Sequence, residues 1–269
     1  MPFAENQGAR IYWDADGAGA PLLMIMGMGG TTATWHRSRP VLASRCRTIA
    51  FDNRGVGRTG VPPGPYSIPQ MASDAAAVLD SASVRRAHVF GISMGGMIAQ
   101  EFALQYPQRM SALVLACTSP GGPDSFRAEP EVLRALSRRD IPPEAASRAM
   151  WPYVYSPSTP AERREEDLAV RMKSFTTDEG RFLQMQAVKD WEAYSRLDRI
   201  TAPTLVIHGE LDQLIPPGNA PLIAARIAGA KLVMVPQASH TLWTDQPETF
   251  HGAILEFLAA NDALSKAAR

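Results

Sequence analysis

The chain has 269 residues, 45% hydrophobic and 20% charged, which fits one large α/β domain with an insertion, or two ordinary domains. Lys+Arg and Asp+Glu are 27 each, so the formal net charge is zero. No long-range field draws in nucleic acid or an anionic membrane, and partners of that kind are not expected. The stretch from Met1 to Gln7 lacks the charged and apolar regions of a secretory signal, and no apolar run approaches the roughly 20 residues that cross a bilayer. Cys46 and Cys117 both lie in apolar segments and are expected to be inert buried thiols. The expectation is a cytoplasmic enzyme.

Along the chain, short apolar runs alternate with longer amphipathic ones, the pattern of a mainly parallel sheet covered by helices. Strands are predicted over 10–14, 21–26 and 47–52. A helix follows over 67–83, where Met71, Ala75, Val78, Leu79 and Ala82 make one apolar stripe. Strand 87–92, a helical pattern over 97–106 and strand 112–117 come next. Several of these strands are apolar throughout, as strands buried on both faces are.

The rhythm breaks between Ser119 and Arg199. Ser119-Pro120-Gly121-Gly122-Pro123 opens a stretch of dense mixed charge (Arg138, Arg139, Glu162 to Asp167) that holds the aromatics Trp151, Tyr153, Tyr155, Phe175 and Trp191. The strand pattern returns over 203–208 and 231–235, and a last helix over 246–260 sets Phe250, Ile254, Phe257 and Leu258 on one side. The expected fold is α/β, a mostly parallel central sheet with helices on both faces. Residues 1–118 and 200–269 form its core, and 119–199 form a helical cap inserted between two strands.

The chemistry starts at Gly91-Ile92-Ser93-Met94-Gly95-Gly96, a Gly-x-Ser-x-Gly segment between a strand and a helix. This is the sequence form of a nucleophile elbow. Ser93 must turn sharply at positive φ, and only glycine leaves room on either side. A serine hydroxyl needs a base to take its proton and a carboxylate to orient that base. His240, in Pro236-Gln237-Ala238-Ser239-His240 after the last strand, is the expected base. His208 would be packed within a strand, His88 begins the elbow strand at its far end, His251 is expected to be exposed on the last helix, and His36 follows Trp35 at a helix start. The acid should lie in Gly209-Glu210-Leu211-Asp212, where Asp212 is preferred and Glu210 is read as solvated.

The tetrahedral intermediate needs two backbone donors. Met94 supplies one, and Met28, in the loop Met26-Gly27-Met28-Gly29-Gly30, is the expected second. Without a Gly-Lys-Ser/Thr or Gly-x-Gly-x-x-Gly sequence, that loop is not read as a phosphate or dinucleotide site. Asp52-Asn53-Arg54-Gly55-Val56-Gly57 is read as a turn in which Asp52 and Arg54 bond nearby backbone. Gly27, Trp35, Trp151, Tyr153 and Trp243 are candidate pocket residues.

These motifs, in this order, resemble those of α/β-hydrolase fold enzymes over nearly the whole length outside the cap. Gly64-Pro65-Tyr66-Ser67-Ile68 and the elbow further resemble 3-oxoadipate enol-lactonases and related small esterases, methylesterases and cofactor-free haloperoxidases. The family usually carries histidine before the first glycine of the oxyanion loop, where this chain has Met26. With Met24, Met26, Met28, Met94 and Met97 nearby, a pocket for an apolar acyl or ring group is expected. No strong anion-binding cluster is visible in the sequence, which counts against a dicarboxylate lactone.

The expected reaction is hydrolysis of a small carboxylic ester or lactone through an acyl-enzyme on Ser93, with no cofactor and no metal. C–C bond hydrolysis, haloperoxidase or perhydrolase chemistry on the same triad is the alternative, and a non-enzymatic receptor the third reading. Activity should fall as pH drops through the histidine range, about 6.5.

Overall fold

In a computed structural model of the protein, residues 2–138, 140–174 and 176–267 are described. Met1, Arg139 and Phe175, among the features named above, lie outside the described residues. The strands are β1 (Phe3–Asn6), β2 (Ala9–Asp16), β3 (Ala20–Ile25), β4 (Cys46–Phe51), β5 (Ala87–Ile92), β6 (Met110–Ala116), β7 (Thr204–Gly209) and β8 (Lys231–Val235). They form one sheet in the order β1-β2-β4-β3-β5-β6-β7-β8. The β1–β2 and β2–β4 pairs are antiparallel and every other pair is parallel.

The helices are α1 (Ser38–Ala43), α2 (Ile68–Ser81), α3 (Met94–Gln105), α4 (Pro130–Leu136), α5 (Pro143–Ala149), α6 (Trp151–Val154), α7 (Ala161–Lys173), α8 (Asp178–Lys189), α9 (Asn219–Arg226), α10 (Leu242–Asp245) and α11 (Pro247–Ala267). Helices α4 to α8 all fall between β6 and β7, where no strand is present among the described residues.

Side chains alternate along each strand, and this divides the core in two. Leu23, Ile25, Val89, Leu113, Leu115 and Val206 face α2 and α3 on one side. Leu22, Met24, Phe90, Val114, Leu205 and Ile207 face Leu42, Trp35 and the Phe250–Ile254 side of α11 on the other. The predicted α2 stripe is buried along its length, from Met71 to Ala82, and Ser67 caps the helix by accepting from the Gln70 amide.

Three local expectations are corrected. Strand β1 is missing from the sequence reading, because its alternation is weak and only Ala4 is buried. A tight turn through Gln7 (φ 45°) and Gly8 (φ 76°) folds it onto β2. Arg54 does not bond backbone with its side chain. Its guanidinium grips Asp74 of α2 through two 2.6 Å bonds, with both residues buried.

His251 is buried rather than exposed, because α11 packs on α1 and brings its Nε2 to 3.0 Å from Ser38 Oγ. Burial lowers the His251 pKa below the ordinary histidine value. The folded state therefore favours the neutral ring, while the unfolded chain takes up a proton near pH 6.5. Stability from this group is complete above that pH and is lost as pH falls through the folded-state pKa. His251→Gln should give a shallower loss of melting temperature between pH 7 and pH 5 than the parent. Identical slopes would remove His251 from the acid response.

Candidate active site

Strand β5 delivers Ser93 at its C-terminal end, with φ 57° and ψ −123°. A non-glycine residue held there costs roughly 1–3 kcal/mol, which a rigid surround must supply. The surround is tight. A Cβ on Gly91 would run into the Gly95 carbonyl, one on Gly95 into the Ile25 carbonyl, and one on Gly96 would stand 2.6 Å from Thr118 Cβ. The Ser93 amide donates to the Ala116 carbonyl (2.9 Å), and Thr118 Oγ1 donates to the Ser93 carbonyl (2.7 Å). The turn is thus fixed from both sides while the serine itself stays partly exposed.

Asp212 lies in the loop after β7 and is fully enclosed. Its Oδ1 accepts from the amides of Leu214 and Ile215, both at 2.9 Å. Its Oδ2 lies 2.8 Å from His240 Nδ1. Burial raises the Asp212 pKa, but the charge of His240 and the hydrogen bonds from His208 and His240 outweigh it, so the carboxyl sits below its ordinary value. An ionised carboxylate on Nδ1 keeps the proton there and leaves Nε2 free as a base. His208 Nε2 lies 2.9 Å from the Ile215 carbonyl and 3.3 Å from Asp212 Oδ2. Packed at the end of β7, it is a second support for the carboxylate. Glu210, by contrast, is exposed.

His240 follows β8 and is mostly buried. Its loop is pinned by neighbours. The Ser239 amide donates to Asp245 Oδ2 (2.7 Å), and the Thr241 amide donates to the Val154 carbonyl at the end of α6 (3.0 Å). Asp212 and His240 are therefore joined directly. Among the described residues no hydrogen bond joins His240 to Ser93, a contact that tightens in enzymes when substrate binds.

Gly27 borders the serine. A Cβ there would stand 3.1 Å from Ser93 Cβ and 3.6 Å from its Oγ, so only glycine leaves this face open. Met94 opens α3, and its amide has no acceptor within the helix. The loop carrying Met28 is held by residues the sequence did not single out. The Gly29 amide donates to Gln184 Oε1 (2.9 Å), and Thr176 Oγ1 donates to the Gly29 carbonyl (3.0 Å). Gln184 Nε2 also donates to the Arg54 carbonyl (2.8 Å), and Asn53 Nδ2 donates to the Met26 carbonyl (2.9 Å). Helix α8 thereby ties the glycine loop to the Asp52–Gly57 turn. No pattern marks Gln184 in advance, since it is one polar residue in a polar helix.

The expected pocket residues separate. Trp35 is buried with its ring 5.1 Å from Phe90, and Trp243 packs at 6.4 Å from Phe250. Their edges border two outer cavities of about 410 and 320 Å³, neither lined by Ser93, Asp212 or His240. Trp151 is half-buried between Arg148 and Tyr155. Tyr153, also half-buried, accepts at its carbonyl from Ser239 Oγ beside His240. Of the methionines, Met24 and Met26 point into the α11-side core, while Met94 and Met97 face the α2 side, with the partly buried Met28 packed against that cluster. Strand alternation sends Met24 away from the site.

One group of metal-type ligands lies here: atoms of Cys117, Asp212 and His240 fall within 4.8 Å of one another. It is a poor cation site. Burial raises the Cys117 thiol well above its ordinary pKa, and Asp212 and His240 already bond each other. Among the described residues no helix is long and apolar enough to cross a membrane.

The eight-stranded, mostly parallel sheet with helices on both faces is that of the α/β hydrolases. The chain belongs to that family, whose alpha/beta hydrolase fold profile matches residues 20–246. The RutD protein of Azorhizobium caulinodans, which carries the name carbamate hydrolase, is 32% identical over 265 residues, covering 97% of this chain and 100% of that one. BpoC of Mycobacterium tuberculosis, which carries the name non-heme bromoperoxidase, is 30% identical over 265 residues, covering 93% and 98%. The crystal structure of the enol-lactonase from Burkholderia xenovorans LB400 matches with a TM-score of 0.82 at 25% identity, covering 96% of this chain and 100% of that one.

Proposed function

We propose that this hydrolase-family protein is a serine hydrolase of a small carboxylic ester or lactone, with residues 119–199 acting as a cap over the site. The observation that carries the reading is the buried Asp212–His240 bond at the same sheet edge as a serine held at φ 57°. Ser93 Oγ attacks the carbonyl carbon while His240 Nε2 takes the hydroxyl proton. The charge that develops on the carbonyl oxygen is met by the Met28 and Met94 amides. The tetrahedral intermediate collapses, the carbon–oxygen bond to the leaving group breaks, and His240 returns the proton to that oxygen. Water then gives a proton to His240 and its hydroxide to the acyl carbon, the bond from that carbon to Ser93 Oγ breaks, and His240 returns the proton to Oγ as the acid leaves. In a lactone the leaving oxygen stays attached, and the product is a hydroxy acid or, from an enol-lactone, an enol that tautomerises to the keto acid.

The carbamate hydrolase and enol-lactonase names among the relatives support carbonyl hydrolysis. The bromoperoxidase name of BpoC keeps perhydrolysis as the alternative, since a triad alone does not separate them. A panel of p-nitrophenyl esters, enol-lactones, vinylogous diketones and acetate with peroxide ranks these reactions. Esters or lactones should give the highest kcat/KM. Peracid formation exceeding ester hydrolysis would reverse the order.

A further inference from the structure

Arg171 has no carboxylate partner among the described residues. It lies on α7, where Glu165 pairs with Arg148, Glu166 with Arg37, and Asp167 with Arg37 and His36. Asp167 stands one turn before Arg171, where a helix usually places a pairing carboxylate. It instead also accepts from Tyr155 Oη and Thr244 Oγ1. Among the described residues no carboxylate pairs with Arg171. Its side chain keeps solvent-exposed surface, yet protein crowds its guanidinium closely enough to lower its pKa, with only Tyr155 acting the other way.

The position of Arg171 matters. A Cβ placed on Gly29 would meet Arg171 Nη2 at 3.7 Å. Gly29 is two residues beyond Gly27, which borders Ser93, and two residues span at most roughly 7 Å. Arg171 also feels the charge of Tyr155, which follows the α6 carbonyl bonded to the His240 loop. A guanidinium beside the glycine loop, with no carboxylate partner among the described residues, matches a planar anion that arrives with the substrate.

We propose that Arg171 binds a carboxylate carried by the substrate, so that the ester or lactone hydrolysed here is an anion. This rests on Ser93 as nucleophile and adds the substrate class. It also reopens the dicarboxylate lactone that the lack of a strong anion-binding cluster in the sequence counts against. Charge-dense sequence around Arg171 hides the fact that its neighbours' partners lie on other elements.

The test compares kcat/KM for an anionic and a neutral ester, in the parent, Arg171→Gln and Arg171→Lys. On the acyl side the pair is the p-nitrophenyl monoester of succinate against p-nitrophenyl butyrate. On the leaving-group side it is the butyrate ester of 4-hydroxybenzoate against that of 4-hydroxybenzamide. In one arm the anionic-to-neutral ratio should fall at least about 10-fold in R171Q, mainly through KM, with R171K between. The arm that responds tells which side of the scissile bond carries the charge. An unchanged ratio in both arms overturns the assignment. A second measurement needs no variant: glutarate should slow fluorophosphonate labelling of the parent, and glutaramide should not. Equal effects of the two overturn the assignment while labelling itself upholds Ser93, whereas no labelling of the parent removes the nucleophile and the proposal together.

Discussion

Ser93→Ala should leave a folded protein whose ester hydrolysis is reduced by about 10³-fold or more. The size follows from what is removed. The hydroxyl is the only atom lost, while the backbone contacts that fix the turn, from the Ala116 carbonyl and Thr118, are untouched. Melting temperature should therefore stay within a few degrees, and the loss should lie in kcat. Asp212→Asn should cost on the order of 10⁴-fold for another reason: an amide can hold the His240 ring in the wrong tautomer, with the proton on the nitrogen that must accept one. Steady-state turnover of p-nitrophenyl butyrate measures both. Retention of a tenth of parental kcat/KM by the Ser93 variant would contradict the assignment.

The largest stability effect should come from the Arg54–Asp74 pair. Both side chains are 1% exposed, and the guanidinium and carboxylate meet in two 2.6 Å bonds, with Asn6 Nδ2 adding a third contact at 2.7 Å to Asp74. Asp74→Ala leaves a charged guanidinium in the core with no counter-charge, which costs about 3–5 kcal/mol. Arg54→Met with Asp74→Leu removes both charges and should cost markedly less than the single change, because the desolvation penalty goes as well. Urea unfolding of the three proteins decides the matter. A single variant within about 0.5 kcal/mol of the parent would show that the pair contributes little. The same residue holds the glycine loop indirectly, since the Arg54 carbonyl accepts from Gln184, which accepts from Gly29.

Most of the sheet was legible because the physics that builds it is local. Strands buried on both faces need apolar residues at every position, and 87–92 is matched residue for residue by β5. The elbow was legible because a crowded turn admits so few residues that the glycines mark it. Asp212 and His240 could be chosen because each follows a strand whose C-terminal end faces Ser93. Other features depend on contacts between distant segments. His251 looks like a surface residue until α11 lies against α1 and Ser38. Gln184 and Thr176 gain a role only when α8 crosses the glycine loop. Arg171 is one charge among many in sequence, and its lack of a carboxylate partner among the described residues emerges once Asp167 is turned toward Arg37 and Tyr155. The methionines that lie near one another in sequence divide in space: Met24 and Met26 turn to the α11 side, while Met28, Met94 and Met97 share the α2 side.

The proposed chemistry depends on one hydroxyl being activated by the Asp212–His240 pair. Labelling with a fluorophosphonate, followed by mass spectrometry of the digested protein, tests this most directly. A single phosphonate adduct on the peptide that carries Ser93, absent after His240→Ala, is the predicted result; an unlabelled Ser93, or an adduct formed equally well without His240, would contradict it.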